Sequence, residues 1–155
     1  MKGKGAAVVL LHGFLENATM WNSVADSLSK NNRVVCIDLL GHGQTACLGY
    51  VHTMESMAEA VAAVLTHLKI RKSVFIGHSL GGYVSLAFAE KNPDNVKGLC
   101  LMNSTTRADN ANRVELRNRA IEAVKTDYKS LVRLSVLNLL MEKKKIFQTI
   151  QARFF

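Results

Sequence analysis

Apolar positions run along this chain in two rhythms, short unbroken runs alternating with stretches of helical spacing. Ala6–Leu11 (AAVVLL) is a continuous apolar run closed by His12-Gly13, and it predicts a strand buried on both faces. Met20, Trp21, Val24, Ala25 and Leu28 recur at helical spacing and predict a helix over Asn17–Lys30. Arg33–Asp38 (RVVCID) reads as a second strand, and a glycine-rich loop, Leu39–His52, follows it. Thr53 is a helix N-cap candidate with Ser56 three residues on, ahead of a helix over Met54–Leu68. Ser73–Gly77 is a third strand, Ser79–Lys91 a helix stopped before Asn92-Pro93, and Val96–Met102 a fourth strand. Strands and helices alternating with short links predict an α/β fold, a doubly wound, mostly parallel sheet with helices on both faces. After Asn103 only helical periodicity remains, from about Asp109 to Phe155, broken near Thr126-Asp127 and near Glu142. That shift divides the chain into residues 1–106, the sheet-forming part, and 107–155, a helical part.

Composition narrows the class. A chain of 155 residues, 48% hydrophobic and 21% charged, fits one domain with a real core and excludes a disordered chain. Near the start no apolar run is long enough for a signal segment or a membrane span, so the expectation is a cytoplasmic globular protein. Three cysteines, Cys36, Cys47 and Cys100, are an odd number without metal-like spacing and suit a reducing compartment. Cys36 and Cys100 lie in strand-like runs and read as buried thiols. No two His, Cys or Asp residues show ligand spacing on one element, so neither a metal nor a cofactor is expected. Of the net charge of +8, residues 107–155 carry +6, with eleven Lys/Arg against five Asp/Glu. Those charges alternate with Leu, Val and Ile at helical spacing, with few aromatics among them. A solvated helix face is the simpler reading than a nucleic-acid or membrane surface, and neither partner is expected.

The chemistry concentrates in Ser73–Ala89. Gly77-His78-Ser79-Leu80-Gly81 is a G-x-S-x-G between a predicted strand and a predicted helix. A serine on so sharp a turn needs small neighbours two residues to either side, and the turn lifts its Oγ clear of the sheet. The following helix N-terminus favours developing negative charge. Leu10-Leu11-His12-Gly13-Phe14 closes the first strand with a glycine turn that can aim the Phe14 N–H toward the mouth of the sheet. With the N–H of Leu80 it would make two donors for an oxyanion. Asp38-Leu39-Leu40-Gly41-His42-Gly43-Gln44-Thr45 closes the second strand and reads as a shaped loop, with Asp38 free to bond nearby backbone N–H groups.

In that order and spacing, L-L-H-G-F, D-L-L-G-H-G-Q-T and G-H-S-L-G-G resemble the α/β-hydrolase superfamily over about residues 5–104. The resemblance implies that Ser79 is a nucleophile and that the N–H groups of Phe14 and Leu80 form the oxyanion hole. His12, Gly13, Gly77, His78 and Gly81 would support them. It further implies that the four strands are the central ones of a larger sheet and that the helices after Arg107 begin a cap. Serine rather than aspartate at position 79 argues against the dehalogenase branch. The implied substrate is a small ester or related acyl compound, in a pocket lined by Phe14, Trp21 and Leu80.

The chain also departs from the family. A triad of this kind runs serine, acid, histidine in chain order. All five histidines, His12, His42, His52, His67 and His78, stand before Ser79. Asp94, Asp109 and Asp127 follow it, but no strand beyond Val96–Met102 is predicted, and the family carries its acid after such a later strand. The expectation is therefore the first half to two-thirds of a hydrolase, lacking its C-terminal strands and with its leading hairpin reduced to Met1–Gly5. Such a chain would have little activity alone. Both sheet edges would be open and would favour self-association or a complementing chain. The other class still open is a non-catalytic binding or remnant protein that keeps the fold.

Overall fold

The computed structural model of the protein describes residues 1–123, 125 and 127. Four parallel strands, β1 (Ala6–Leu11), β2 (Asn32–Ile37), β3 (Ser73–His78) and β4 (Val96–Met102), form one sheet in the order β2-β1-β3-β4. Helices α1 (Asn22–Leu28), α2 (Met54–His67) and α3 (Leu80–Lys91) connect them. The alternation expected from the sequence is the fold observed.

Strand geometry explains the sheet's two faces. Successive side chains point to opposite sides, so Ala7, Val9 and Leu11 of β1 join one buried cluster and Val8 and Leu10 the other. The first cluster includes Met57, Val61 and Leu65 of α2, Phe75 of β3, and Val84 and Phe88 of α3. The second holds Trp21, Ala25 and Val34 beneath α1. Burial on both sides is why β1 carries no polar residue at all. Trp21, expected to line a pocket, is instead a core residue, 2% exposed.

Element boundaries moved where side chains took over from the backbone ladder. The expected helix over Asn17–Lys30 is a 3-10 turn at Ala18–Trp21 followed by α1. Asn17 accepts the Thr19 N–H at 3.0 Å and Asp38 accepts the Ala18 N–H at 2.6 Å, which caps that first turn. Asp38 stands just outside β2, its carboxylate accepting the loop N–H groups of Ala18 and Gln44. Thr53 does cap α2, accepting the Ser56 N–H at 3.1 Å.

One edge differs from expectation. Lys2 forms an antiparallel bridge to Val34, with reciprocal backbone bonds of 3.0 and 2.8 Å, so the β2 edge is partly blunted by the short N-terminal segment. Strand β4 is an edge among the described residues, and Leu99 and Met102 on it are each 41% exposed. Cys100 is exposed rather than buried, because β4 has a neighbour on one side only among the described residues; Cys36 is half-buried, and burial pushes its thiol up.

A second unit begins after Arg107. Its helix begins at residue 111, where Asn110 accepts the Arg113 N–H at 3.0 Å, and Asp109 pairs with Arg113 and Arg117. The breaks expected near Thr126 and Glu142 fall outside the described residues.

Phe75 is fully buried and its ring lies 4.6 Å from that of Phe88. Replacing Phe75 by Ala is expected to cost about 3–5 kcal/mol in urea unfolding. A loss below roughly 1 kcal/mol would show that this sheet–helix contact is not the core it resembles.

Candidate active site

Ser79 sits between β3 and α3 with φ 47° and ψ −109°, a conformation that a residue with a side chain rarely adopts. Its neighbours explain how the chain tolerates it. A Cβ on Gly77 would lie under 3.0 Å from the Gly81 carbonyl oxygen. A Cβ on Gly81 would lie under 3.0 Å from the carbonyl oxygens of Leu11 and His12. The glycines two residues either side of Ser79 are therefore required by contact with backbone.

The end of β4 clamps the same turn. The Ser79 N–H donates to the Met102 carbonyl at 2.9 Å, and Ser104 Oγ donates to the Ser79 carbonyl at 2.9 Å. Asn103, itself at φ 47°, puts its Nδ2 3.3 Å from His78 Nε2. A Cβ on Gly82 would meet the Ser104 hydroxyl at under 3.0 Å, so the second glycine of the Gly81-Gly82 pair leaves room for this clamp. Sequence reasoning missed Ser104, Asn103 and Gly82, because their partners lie more than twenty residues away.

The glycine turn after β1 rests on the loop after β2. His12 is fully buried; its Nε2 accepts the Leu39 N–H at 3.0 Å and its Nδ1 lies 2.7 Å from the Gly13 carbonyl. An Nε2 that accepts leaves Nδ1 as the protonated nitrogen, donating to Gly13, so His12 is a neutral imidazole with both nitrogens engaged. Burial holds it below its ordinary 6.5, against the opposing pull of the Gly13 carbonyl. Asp38 accepts N–H groups from Ala18 at 2.6 Å and Gln44 at 3.0 Å. Burial pushes this carboxyl up, but the Gln44 and Ala18 bonds outweigh it and hold it below its ordinary 3.8. The loop over residues 38–45 is thus a brace. Phe14 is 58% exposed and meets the His42 ring edge-on at 5.9 Å.

One acidic residue stands out that no motif indicated. Glu16 Oε2 accepts the Gly13 N–H at 2.6 Å and lies 2.9 Å from His78 Nδ1. His78, adjacent to Ser79, is therefore engaged by Glu16 on one ring nitrogen and Asn103 on the other.

Comparison with known proteins bears on the fold that carries this turn. Residues 6–134 match the family described as alpha/beta hydrolase fold. The chain belongs to this family. A thermophilic esterase from Thermogutta terrifontis, solved with malate bound, shares 40% identity at a TM-score of 0.74, covering 79% of this chain and 46% of that one. A pimeloyl-(acyl-carrier protein) methyl ester esterase of Aliivibrio salmonicida is 34% identical over 68% of this chain and 39% of its own length. An uncharacterized protein of Mycobacterium bovis is 36% identical over 66% of this chain and 30% of its own. The chain thus spans about a third of the length of these curated relatives, and under half of the esterase structure.

Within this alpha/beta hydrolase fold, the G-x-S-x-G turn, the glycine turn after β1 and the loop after β2 all lie at the C-terminal ends of parallel strands, where open α/β sheets place their ligands. Asp94 lies in the 3-10 turn Pro93–Asn95 before β4, and Asp109, just ahead of the helix that begins at residue 111, is paired with Arg113 and Arg117 on it. Among the described residues, no group of three or more His, Cys, Asp or Glu is placed to hold a metal ion, and no helix is long and apolar enough to cross a membrane.

Two outcomes follow from this geometry. Gly81→Ala is expected to destabilise the hydrolase fold by roughly 1–3 kcal/mol in urea, because the added Cβ meets fixed backbone; wild-type stability would contradict the packing described. For His12, the unfolded chain binds a proton at higher pH than the folded one. Its contribution to stability is therefore complete above its ordinary 6.5 and is lost as pH falls through that value. Urea midpoints measured from about pH 8 down to about pH 5 should decline in the wild type and decline less in His12→Asn, whose amide can both donate and accept. Equal slopes in the two proteins would remove His12 as the cause.

Proposed function

We propose that Ser79 is the nucleophile of a serine hydrolase acting on carboxylic esters, and that the N–H groups of Phe14 and Leu80 receive the oxyanion. The observation that carries this reading is the positive φ of Ser79, held by Gly77 and Gly81, at the strand-to-helix turn. Strain of about 1–3 kcal/mol at a hydroxyl residue on such a turn is the mark of a site kept for chemistry. The esterases among its relatives support the substrate class.

In this reading the Ser79 Oγ–H gives its proton to a base as Oγ bonds the ester carbonyl carbon. The carbonyl oxygen becomes an oxyanion. The ester C–O bond then breaks, the alcohol leaves with that proton, and water hydrolyses the acyl-serine. The base is not one of the imidazoles already engaged: His12 and His78 are held on both ring nitrogens, and His52 Nε2 accepts the Leu48 N–H at 2.9 Å. We assign the triad acid and histidine to residues outside these 155, and the helical unit after Arg107 to the start of a cap.

Intact-mass labelling with a fluorophosphonate, beside Ser79→Ala, tests the assignment. A single, slowly formed adduct that disappears in the variant is expected, since the missing general base is worth about 10²–10⁴-fold in rate. An adduct that survives in Ser79→Ala overturns the nucleophile. No adduct at all leaves a non-catalytic module with a hydrolase fold, and an ordinary esterase turnover by this chain alone overturns the missing base.

A further inference from the structure

Glu16 joins two segments that the sheet holds on neighbouring strands. It closes its own turn twice: its N–H donates to the Gly13 carbonyl at 3.2 Å, and its Oε2 accepts the Gly13 N–H at 2.6 Å. The same oxygen reaches His78 Nδ1 at 2.9 Å, sixty-two residues along the chain. Both side chains are mostly withdrawn from water, His78 at 17% exposure and Glu16 at 27%. The bridge depends on the absence of a side chain at residue 13, where a Cβ would lie 2.6 Å from Glu16 Oε2 and 2.8 Å from His78 Nδ1. Leu15, between the two contacts, takes φ 62°, so the turn is bent to bring the carboxylate back over Gly13. On the far side, Asn103 Nδ2 donates to His78 Nε2, which leaves Nδ1 to donate to Glu16.

We propose that Glu16 is a positioning residue: through Gly13 on one side and His78 on the other, its carboxylate sets the spacing between the turn carrying Phe14 and the turn carrying Ser79 and Leu80. Its use in catalysis rests on the assignment of those two N–H groups to an oxyanion. Donors of that kind act only when held in place before charge develops, and small displacements are costly. A hydrogen bond accepted by a partly desolvated carboxylate is a strong way to hold them. The competing account is that Glu16 only closes its own turn, and it makes a different forecast for His78.

Amide hydrogen exchange on the 155-residue chain separates the two. Exchange at Gly13 is expected to speed up by about tenfold or more in Glu16→Ala, in line with a lost bond to a charged acceptor. His78→Ala should speed the same amide, and the double variant should add little to either single change. Glu16→Gln, which keeps one acceptor oxygen, should fall between wild type and Glu16→Ala and serves if the alanine variant does not fold. An unchanged Gly13 amide in His78→Ala, or fully additive effects, overturns the proposal. Fluorophosphonate rates at Ser79 are read on the same variants. Coupled exchange with slower labelling in Glu16→Ala, partly restored in Glu16→Gln, is the expected result. Coupled exchange without labelling even in the wild type leaves Glu16 as the spacer and removes the esterase reading instead. Uncoupled exchange removes the spacer whatever Ser79 does.

Discussion

The turn at Ser79 is the constraint on which the rest of this molecule depends. A residue with a side chain is held at φ 47° where a parallel strand becomes a helix. Only an environment that fixes the turn from several directions keeps it there. Three strands contribute: β3 leads in, the carbonyls ending β1 press on Gly81, and the end of β4 bonds Ser79 through the Met102 carbonyl and the Ser104 hydroxyl. The strain at one residue is offset by a sheet buried on both faces, where β1 and β3 lie between the two apolar clusters.

Around that turn the structure builds rigidity by layers of backbone capture. His12, neutral and buried, ties the end of β1 to Leu39. Asp38 ties the loop after β2 to the turn that starts at Ala18. Glu16 ties Gly13 to the residue beside the serine. In each case a polar side chain satisfies a backbone N–H group that a loop would otherwise leave unpaired. These ties restrict the loops at the C-terminal ends of the strands, which are the segments least constrained by the sheet itself.

The polar residues near the candidate nucleophile divide by what holds them. His78 stands next to Ser79 in sequence, yet its ring is occupied by Glu16 and Asn103. It lies on the β3 face shared with Ile76, the face that packs toward α1. Alternation along a strand places adjacent side chains on opposite sides, so proximity in sequence does not make His78 a partner of the serine. Membership of the alpha/beta hydrolase family is compatible with this: the family match over residues 6–134 includes the turn at Ser79, and the chain covers under half the length of the Thermogutta terrifontis esterase.

Amino-acid sequence alone determined the order of strands and helices, because burial on both faces of a parallel sheet demands unbroken apolar runs such as Ala6–Leu11, and a helix lying on it demands a periodic stripe such as Met57, Val61 and Leu65. It also determined the place of the serine, since glycines at 77 and 81 are a local requirement of a sharp turn. Tertiary structure decided everything that depends on partners distant along the chain. Glu16 carried no motif, and only pairing of β1 with β3 brought it to His78. Ser104 and Asn103 became part of the site because β4 ends beside β3. Trp21 became core and Cys100 surface because sheet order, which no periodicity encodes, settled which strand faces were covered.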